Sequence, residues 1–399
     1  MESSLVAPPR LPSIDLLRGL VMILMALDHV RMFFGYGTWY AAPTDLTTTT
    51  PLLFFTRWIT HFCAPAFVFL AGTSAFLVGM KKENVNRLSQ YLLTRGIWLI
   101  FAEVTIVNFA WTFDITYSFI FLQVIWAIGI SMITLSALVF LPNMLILAIG
   151  LALVFGHNLL DSIQVQGNNL SDIAWYALHH SQAVILAGHV VSIVYPVLPW
   201  IGLMALGYAC GVLYTAGFSP ERRKHLLLAI GIGATLLFIL LRGFNHYGEP
   251  TNWHVQQGSS LFTAMAFLNT TKYPPSLQFL LMTMGPALVF LSLSESLISR
   301  ISLIKPVLTF GRVPFFFYIV HLYLIHALAM LWLSYSGRDW HEYILSFTAL
   351  RSGTLSDFGL SLSGVYLVWI LVIALLYPIC SWYQKYKENN PSKWWLRFL

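Results

Sequence analysis

About ten apolar runs, each close to the length of a bilayer-crossing helix, divide the chain at roughly 14–34, 52–79, 91–111, 118–140, 143–160, 193–215, 225–243, 275–297, 306–334 and 361–383. Some twenty helical residues cover a hydrocarbon core of ~30 Å, and inside lipid the backbone must satisfy its own hydrogen bonds. The pattern predicts an all-α fold, a polytopic membrane bundle of about ten helices in a single domain over residues 1–399. Composition agrees: the chain is 58% hydrophobic and 10% charged, against about 25% charged in soluble domains. The net charge of +6 is scattered over short loops, with no basic patch interleaved with aromatics, so no nucleic-acid partner is expected. Cys63, Cys210 and Cys380 fall in apolar runs and read as small hydrophobes rather than a disulfide framework or a CxxC site. The first fifteen residues lack the apolar region and cleavage site of a signal peptide, so the first run reads as a span.

Loop charge sets the expected orientation. Arg10, Lys81, Lys82, Arg87, Arg222, Arg223, Lys224, Arg300, Lys305, Lys385, Lys387, Lys393 and Arg397 fall on alternate connections, whereas the opposite loops are mainly acidic. The positive-inside rule then predicts cytoplasmic termini. The segment 172–192 fits neither side cleanly and predicts an interfacial helix or a re-entrant piece.

The charges inside the runs carry the functional signal. Arg18 and His29 are eleven positions apart, about 1100° of helix and roughly 20° past three turns, so they share one side ~16 Å apart. With the orientation above, Arg18, Arg95 and Arg312 lie toward the cytoplasmic ends of their spans, and Arg31, Arg57 and Arg242 toward the outer ends. A charge at mid-helix costs ~2.5–3.5 kcal/mol on insertion scales. The competing reading is snorkelling, or pairing with Asp15, Asp28, Glu103 or Glu295. For the inner three together a shared anionic ligand is favoured, because arginine suits phosphate geometry.

His29 and His61 fall at comparable depth, and Arg57 and His61 share a face at i, i+4. His321 lies near mid-depth with Tyr318 one turn before it. A single intramembrane histidine is more often a packing residue than a catalyst, but two at matched depth beside arginines point to proton transfer. The loop residues His157, His179, His180 and His189, with Asp161 or Asp172, lack tight ligand spacing, and no metal is expected. No P-loop, GxSxG or HExxH occurs. Gly72, and Gly202, Gly207 and Gly211, read as helix-packing positions, and Pro65 as a kink one turn from His61.

SIDLLRGLVMILMALDHV resembles the first span of the transmembrane acyltransferase superfamily, in which acyltransferase family 3 carries Arg, ten residues, then His; here these are Arg18 and His29. FFTRWITHFCAPAFVFLAGTSAFL, YPVLPWIGLMALGYACG and FGRVPFFFYIVHLYLIH resemble bacterial relatives of the heparan-α-glucosaminide N-acetyltransferase catalytic domain. The resemblance implies a bacterial inner-membrane enzyme that moves an acyl group, in the first instance acetyl, from cytoplasmic acyl-CoA to a glycan or glycolipid on the far side. It also implies that His29 is the catalytic histidine and Arg18 its partner near the CoA. Arg95, Arg312, Arg57, His321 and Tyr318 are the further candidates for substrate or CoA binding. In one departure, the lysosomal enzyme has asparagine at the position of His29 and a later catalytic histidine in its first luminal loop. Residues 35–52 here contain no histidine, so His61 competes with His29. The alternative class is a secondary transporter or flippase for a small anionic or lipid-linked substrate, against which no internal repeat or pair of broken helices is found. Whether copies of the chain associate as a homo-oligomer is left open.

Overall fold

A proline at the first turn and a glycine just past the last bound helix α1 (Pro12–Phe34), which ends at Gly35. Its 23 residues span ~34 Å. Asp15 in the first turn and Arg31 in the last both complement the helix dipole. Buried residues occur all round it, as expected of a helix at the centre of a bundle. It packs against α3 (Cys63–Gly79), α12 (Leu277–Leu297), α13 (Lys305–Arg312), α14 (Pro314–Tyr335) and α16 (Leu362–Asn389).

The computed structural model describes residues 11–82, 84–297 and 304–397; Arg10 and Arg300, used above for orientation, lie outside them. Among the described residues seven helical stretches are long and apolar enough to cross a membrane: 51–79, 85–112, 143–160, 220–244, 277–295, 314–335 and 362–389. The first comprises α2 (Pro51–Thr60) and α3, and the second α4 (Val85–Ala102), a π turn (Glu103–Val107) and α5 (Asn108–Thr112). The next are α7 (Asn143–Gly156) with a short 3₁₀ turn, and α10 (Pro220–Phe244). Of the remaining expected spans, α1 has the length but carries Asp15, Arg18, Asp28 and Arg31, whereas α6 (Val124–Leu138) and α9 (Leu198–Cys210) are shorter.

Two expected continuous spans are broken, both at proline, so the expected absence of a pair of broken helices does not hold. Helix α2 gives way to α3 at His61–Phe62, where Pro65 removes the N–H that the His61 carbonyl would have accepted. Helix α13 ends at Val313, whose φ −130° and ψ 50° reflect the restriction imposed by Pro314.

The fold is not wholly helical. Strands β1 (Phe119–Leu122), β2 (Gln182–Leu186) and β3 (His189–Ile193) form a sheet in the order β1-β3-β2, parallel across β1/β3 and antiparallel across β2/β3. The segment 172–192 is therefore neither one interfacial helix nor a single re-entrant piece. Helix α8 (Leu170–Leu178), started by an Asn169–Asp172 capping box, leads into the β2–β3 hairpin. Ala187 and Gly188 turn the hairpin with φ 50° and 86°, as a type I′ turn requires. Tyr176, Val184, Val191 and Ile193 give it a small core of its own. Its strands are five residues each and their apolar residues run together, as in Ala183–Leu186, so no two-residue period marks them against a helical reading.

Glycines set the closest helix crossings. A Cβ on Gly207 of α9 would lie 2.0 Å from Phe69 O, and one on Gly72 of α3 2.1 Å from Met204 O. Gly19 and Gly311 do the same for α1 and α13, where the added atom would meet Val307 O at 1.9 Å and Asp15 O at 1.8 Å. Small residues at these positions let backbones touch. Gly207→Ala must push α3 from α9, so it is expected to destabilise the protein by about 1–3 kcal/mol. A lowered unfolding midpoint in detergent checks this, and an unaltered midpoint refutes it.

Candidate active site

A cavity of about 320 Å³ lies among α1, α3, α4, α6, α14 and the end of α16. Arg18, Ser74, Tyr91, Arg95, Tyr318 and Lys387 supply its polar wall, and Met22, Phe67, Leu99, Ile128 and Phe315 part of its apolar lining. Arg18 is held in place: it pairs with Asp15 at 3.3 Å and donates to Gly311 O at 3.3 Å and Ser74 Oγ at 2.9 Å. The close Gly19–Gly311 crossing is what brings that carbonyl within reach. Of the three inner arginines expected together, Arg18 and Arg95 share the cavity. Arg312 does not line it, and lies 3.8 Å from Asp15. Lys82 is not in the wall either, but its ammonium sits over the ring of Tyr91 at 5.2 Å. Lys387, read from the sequence only as a loop charge, completes the basic set; nothing local connects it to a site some 370 residues away.

Beyond Tyr318 stands His29, with ring centroids 6.4 Å apart. His29 Nδ1 is 2.7 Å from His321 Nε2, and His321 Nδ1 is 2.9 Å from Phe317 O. A carbonyl only accepts, so His321 Nδ1 carries the hydrogen. In the neutral ring its Nε2 then accepts, and His29 Nδ1–H donates to it. The lone pair of His29 is left on Nε2. His321 is fully buried, whereas His29 remains partly exposed. Trp111 closes one side of His29, edge-on at 4.9 Å. Trp111 follows the π turn, which admits an extra residue and rotates every later side chain relative to a uniform helix. The expected uniform span 91–111 could not have shown this.

At the C-terminal end of α1 a charged cluster forms around Asp28. It accepts from Arg31 at 2.9 Å and from Arg57 of α2 through a close ion pair. Arg57 also donates to the Tyr273 hydroxyl at 3.4 Å. Lys272 stands over the rings of Tyr273 and Tyr195, at 5.2 and 5.9 Å. Partial burial pushes the Tyr273 phenol up, but Lys272 and then Arg57 overcome this and bring it down to about 8. Arg57 therefore belongs to this cluster and not to the cavity of Arg18. Lys272 and Tyr273 come from a loop that the sequence marked only as polar.

His61 is buried against Phe279, with ring centroids 5.4 Å apart, and its Nδ1 has no hydrogen-bond partner. It does not join the His29–His321 chain. His326 directs both ring nitrogens at carbonyls, those of Ala110 and Tyr343. Arg242, expected near a headgroup or an acid, instead donates to Phe267 O, Thr251 O, Ala266 O and Asn269 O at 2.7–3.1 Å, tying down the loop that carries Lys272. Among the loop histidines, His179 pairs with Asp161 at 2.9 Å and His189 faces Tyr117 O. Among the described residues no three His, Cys, Asp or Glu side chains form a metal-binding group.

Residues 10–244 match the family model described as heparan-alpha-glucosaminide N-acetyltransferase, catalytic. No curated protein matches the chain. The matched stretch runs from α1 to α10 and holds Arg18, His29, Arg57, His61 and Arg95; Arg312, Tyr318 and His321 lie beyond it. With more than half of its length matched and helices able to cross a bilayer, the chain belongs to the heparan-alpha-glucosaminide N-acetyltransferase catalytic family, a family of membrane acetyltransferases.

Proposed function

We propose that this protein transfers an acyl group, acetyl in the first instance, from acyl-CoA to an amine or hydroxyl of a glycan or glycolipid on the opposite face of the membrane. In this reading the chain crosses about ten times with both termini cytoplasmic. The CoA phosphates contact Arg18, Arg95 and Lys387, and the pantetheine arm runs along the apolar wall toward Tyr318. His29 Nε2 accepts the proton of the acceptor N–H or O–H as that atom attacks the thioester carbonyl. The C–S bond then breaks, and the thiolate leaves with the proton returned from the His29 imidazolium. His321 holds His29 in the tautomer that keeps Nε2 basic, so it is a positioning residue. Arg57 belongs to the acceptor side, and His61 acts in packing.

The observation that supports this most is the succession along one path: a basic cavity, Tyr318, then a histidine with its free nitrogen set by a hydrogen-bonded partner. The test is transfer of labelled acetyl from acetyl-CoA to glucosamine by the full-length protein in nanodiscs. Arg95→Ala is expected to raise KM for acetyl-CoA about tenfold, as for loss of one charge-assisted contact. Absence both of transfer and of thermal stabilisation by acetyl-CoA would sink the reading and favour a transporter.

A further inference from the structure

The cluster at the C-terminal end of α1 is unbalanced in charge. Arg31 and Arg57 pair with the single carboxylate of Asp28, and Lys272 stands over Tyr273, whose hydroxyl Arg57 also meets. Tyr273 links them: its hydroxyl accepts from Arg57 and its ring lies under Lys272. Among the described residues no other acid comes within ion-pair distance of these cations. Glu249 of the same loop is engaged by the Thr271 N–H at 3.1 Å and the Ser276 hydroxyl at 2.6 Å. Two donors are also unsatisfied or unmatched. Arg31 is 2% exposed, and its Nη1 has no acceptor. Among the described residues the Lys272 ammonium meets the faces of two tyrosines and no acceptor.

Buried cations in excess are costly unless an anion joins them. Yet the cluster is not sealed: Tyr273 is 37% exposed and Asp28 and Lys272 are half-buried. It adjoins His29 in sequence and lies at the end of α1 away from Arg18.

We infer that Lys272, Arg57 and Arg31 form an oxyanion site that holds a carboxylate or phosphate carried by the sugar acceptor, away from the atom to be acylated. The identity of the ligand as an acceptor rests on the acyl-transfer reading; the existence of the site does not. A phosphate dianion would offset the two excess positive charges around Asp28, a carboxylate one of them, and the face of Tyr273 would pack against the sugar ring.

The test uses the full-length protein in phosphatidylcholine nanodiscs. Glucosamine 6-phosphate and glucuronate are expected to raise the unfolding temperature, and glucosamine, which lacks an anionic group, to do so far less. Lys272→Met keeps the apolar stem over the two tyrosine rings but removes the charge. It is expected to weaken binding of both anionic sugars about 10- to 100-fold, with Lys272→Arg retaining most of the affinity. In transfer assays the ratio of kcat/KM for glucosamine 6-phosphate over glucosamine is expected to collapse toward one in Lys272→Met. Anion binding without any transfer leaves the site standing and defeats the acyl-transfer reading. Transfer with no preference for the anionic sugar defeats the site alone. Stabilisation that follows phosphatidylglycerol content rather than the sugar assigns the anion to lipid and overturns the inference.

Discussion

His29→Ala in the purified full-length protein is expected to lower acetyl transfer by about 10²–10⁴-fold, the range for loss of a general base, while the protein still inserts and unfolds at a near-native temperature. His29 is partly exposed and its hydrogen bond runs to one neighbour, so its removal leaves a single buried acceptor, His321 Nε2, without a donor. His321→Ala is expected to cost less, about 10–10²-fold, because the base survives but loses the partner that fixes its tautomer. Its signature is a fall in kcat with KM for acetyl-CoA little altered. Near-wild-type turnover by His29→Ala, together with its loss in His61→Ala, would transfer the catalytic role to His61. The present geometry argues otherwise, since His61 lies against Phe279 outside the hydrogen-bonded chain.

Arg242→Ala is expected to carry the largest stability effect, about 3–5 kcal/mol. The guanidinium is 2% exposed and satisfies four backbone carbonyls, two of them at the end of α11 (Ser260–Leu268) and one each at Thr251 and Asn269. Removing it leaves those carbonyls unpaired inside a void. Lysine cannot replace the fork, because one ammonium cannot reach four acceptors in that geometry. Thermal unfolding and protease cleavage within residues 245–276 would report the loss. A shift of only a degree or two would show that the loop is held by other contacts. Because the same loop presents Lys272 and Tyr273, anion binding should fail with it.

Much of the bundle was legible in the residues. Long apolar runs located the helices, since the bilayer imposes a length and the backbone allows few ways to satisfy itself there. The helical period placed Arg18 and His29 on one side of α1, and Gly72 and Gly207 were readable as packing positions, which the α3–α9 crossing bears out. The proline-dependent breaks were only half legible. Pro65 signalled a kink, but Pro314 did not lead to a division of the last-but-one span. The three-stranded sheet went unread because strands of four and five residues give no periodicity strong enough to compete with a helix.

The constellation around His29 was legible in its members and not in its pairings. His321 was a candidate by depth, yet nothing in a linear pattern joins it to a residue 292 positions away, and Lys387, Trp111 and Lys272 gave no local signal at all. Burial of charge announces itself in one dimension, because a charged letter in an apolar run is visible as such. Partner choice does not: Arg57 went to Asp28, Arg312 to Asp15 and Arg242 to bare carbonyls, according to which helices crossed at glycine and where the 245–276 connection was tied. The apolar spacing of the chain thus accounts for its class and for the Arg18–His29 axis. The direction of each proton and each charge pair came from helix packing, since hydrogen bonds act over about 3 Å and only the folded chain brings such atoms that close.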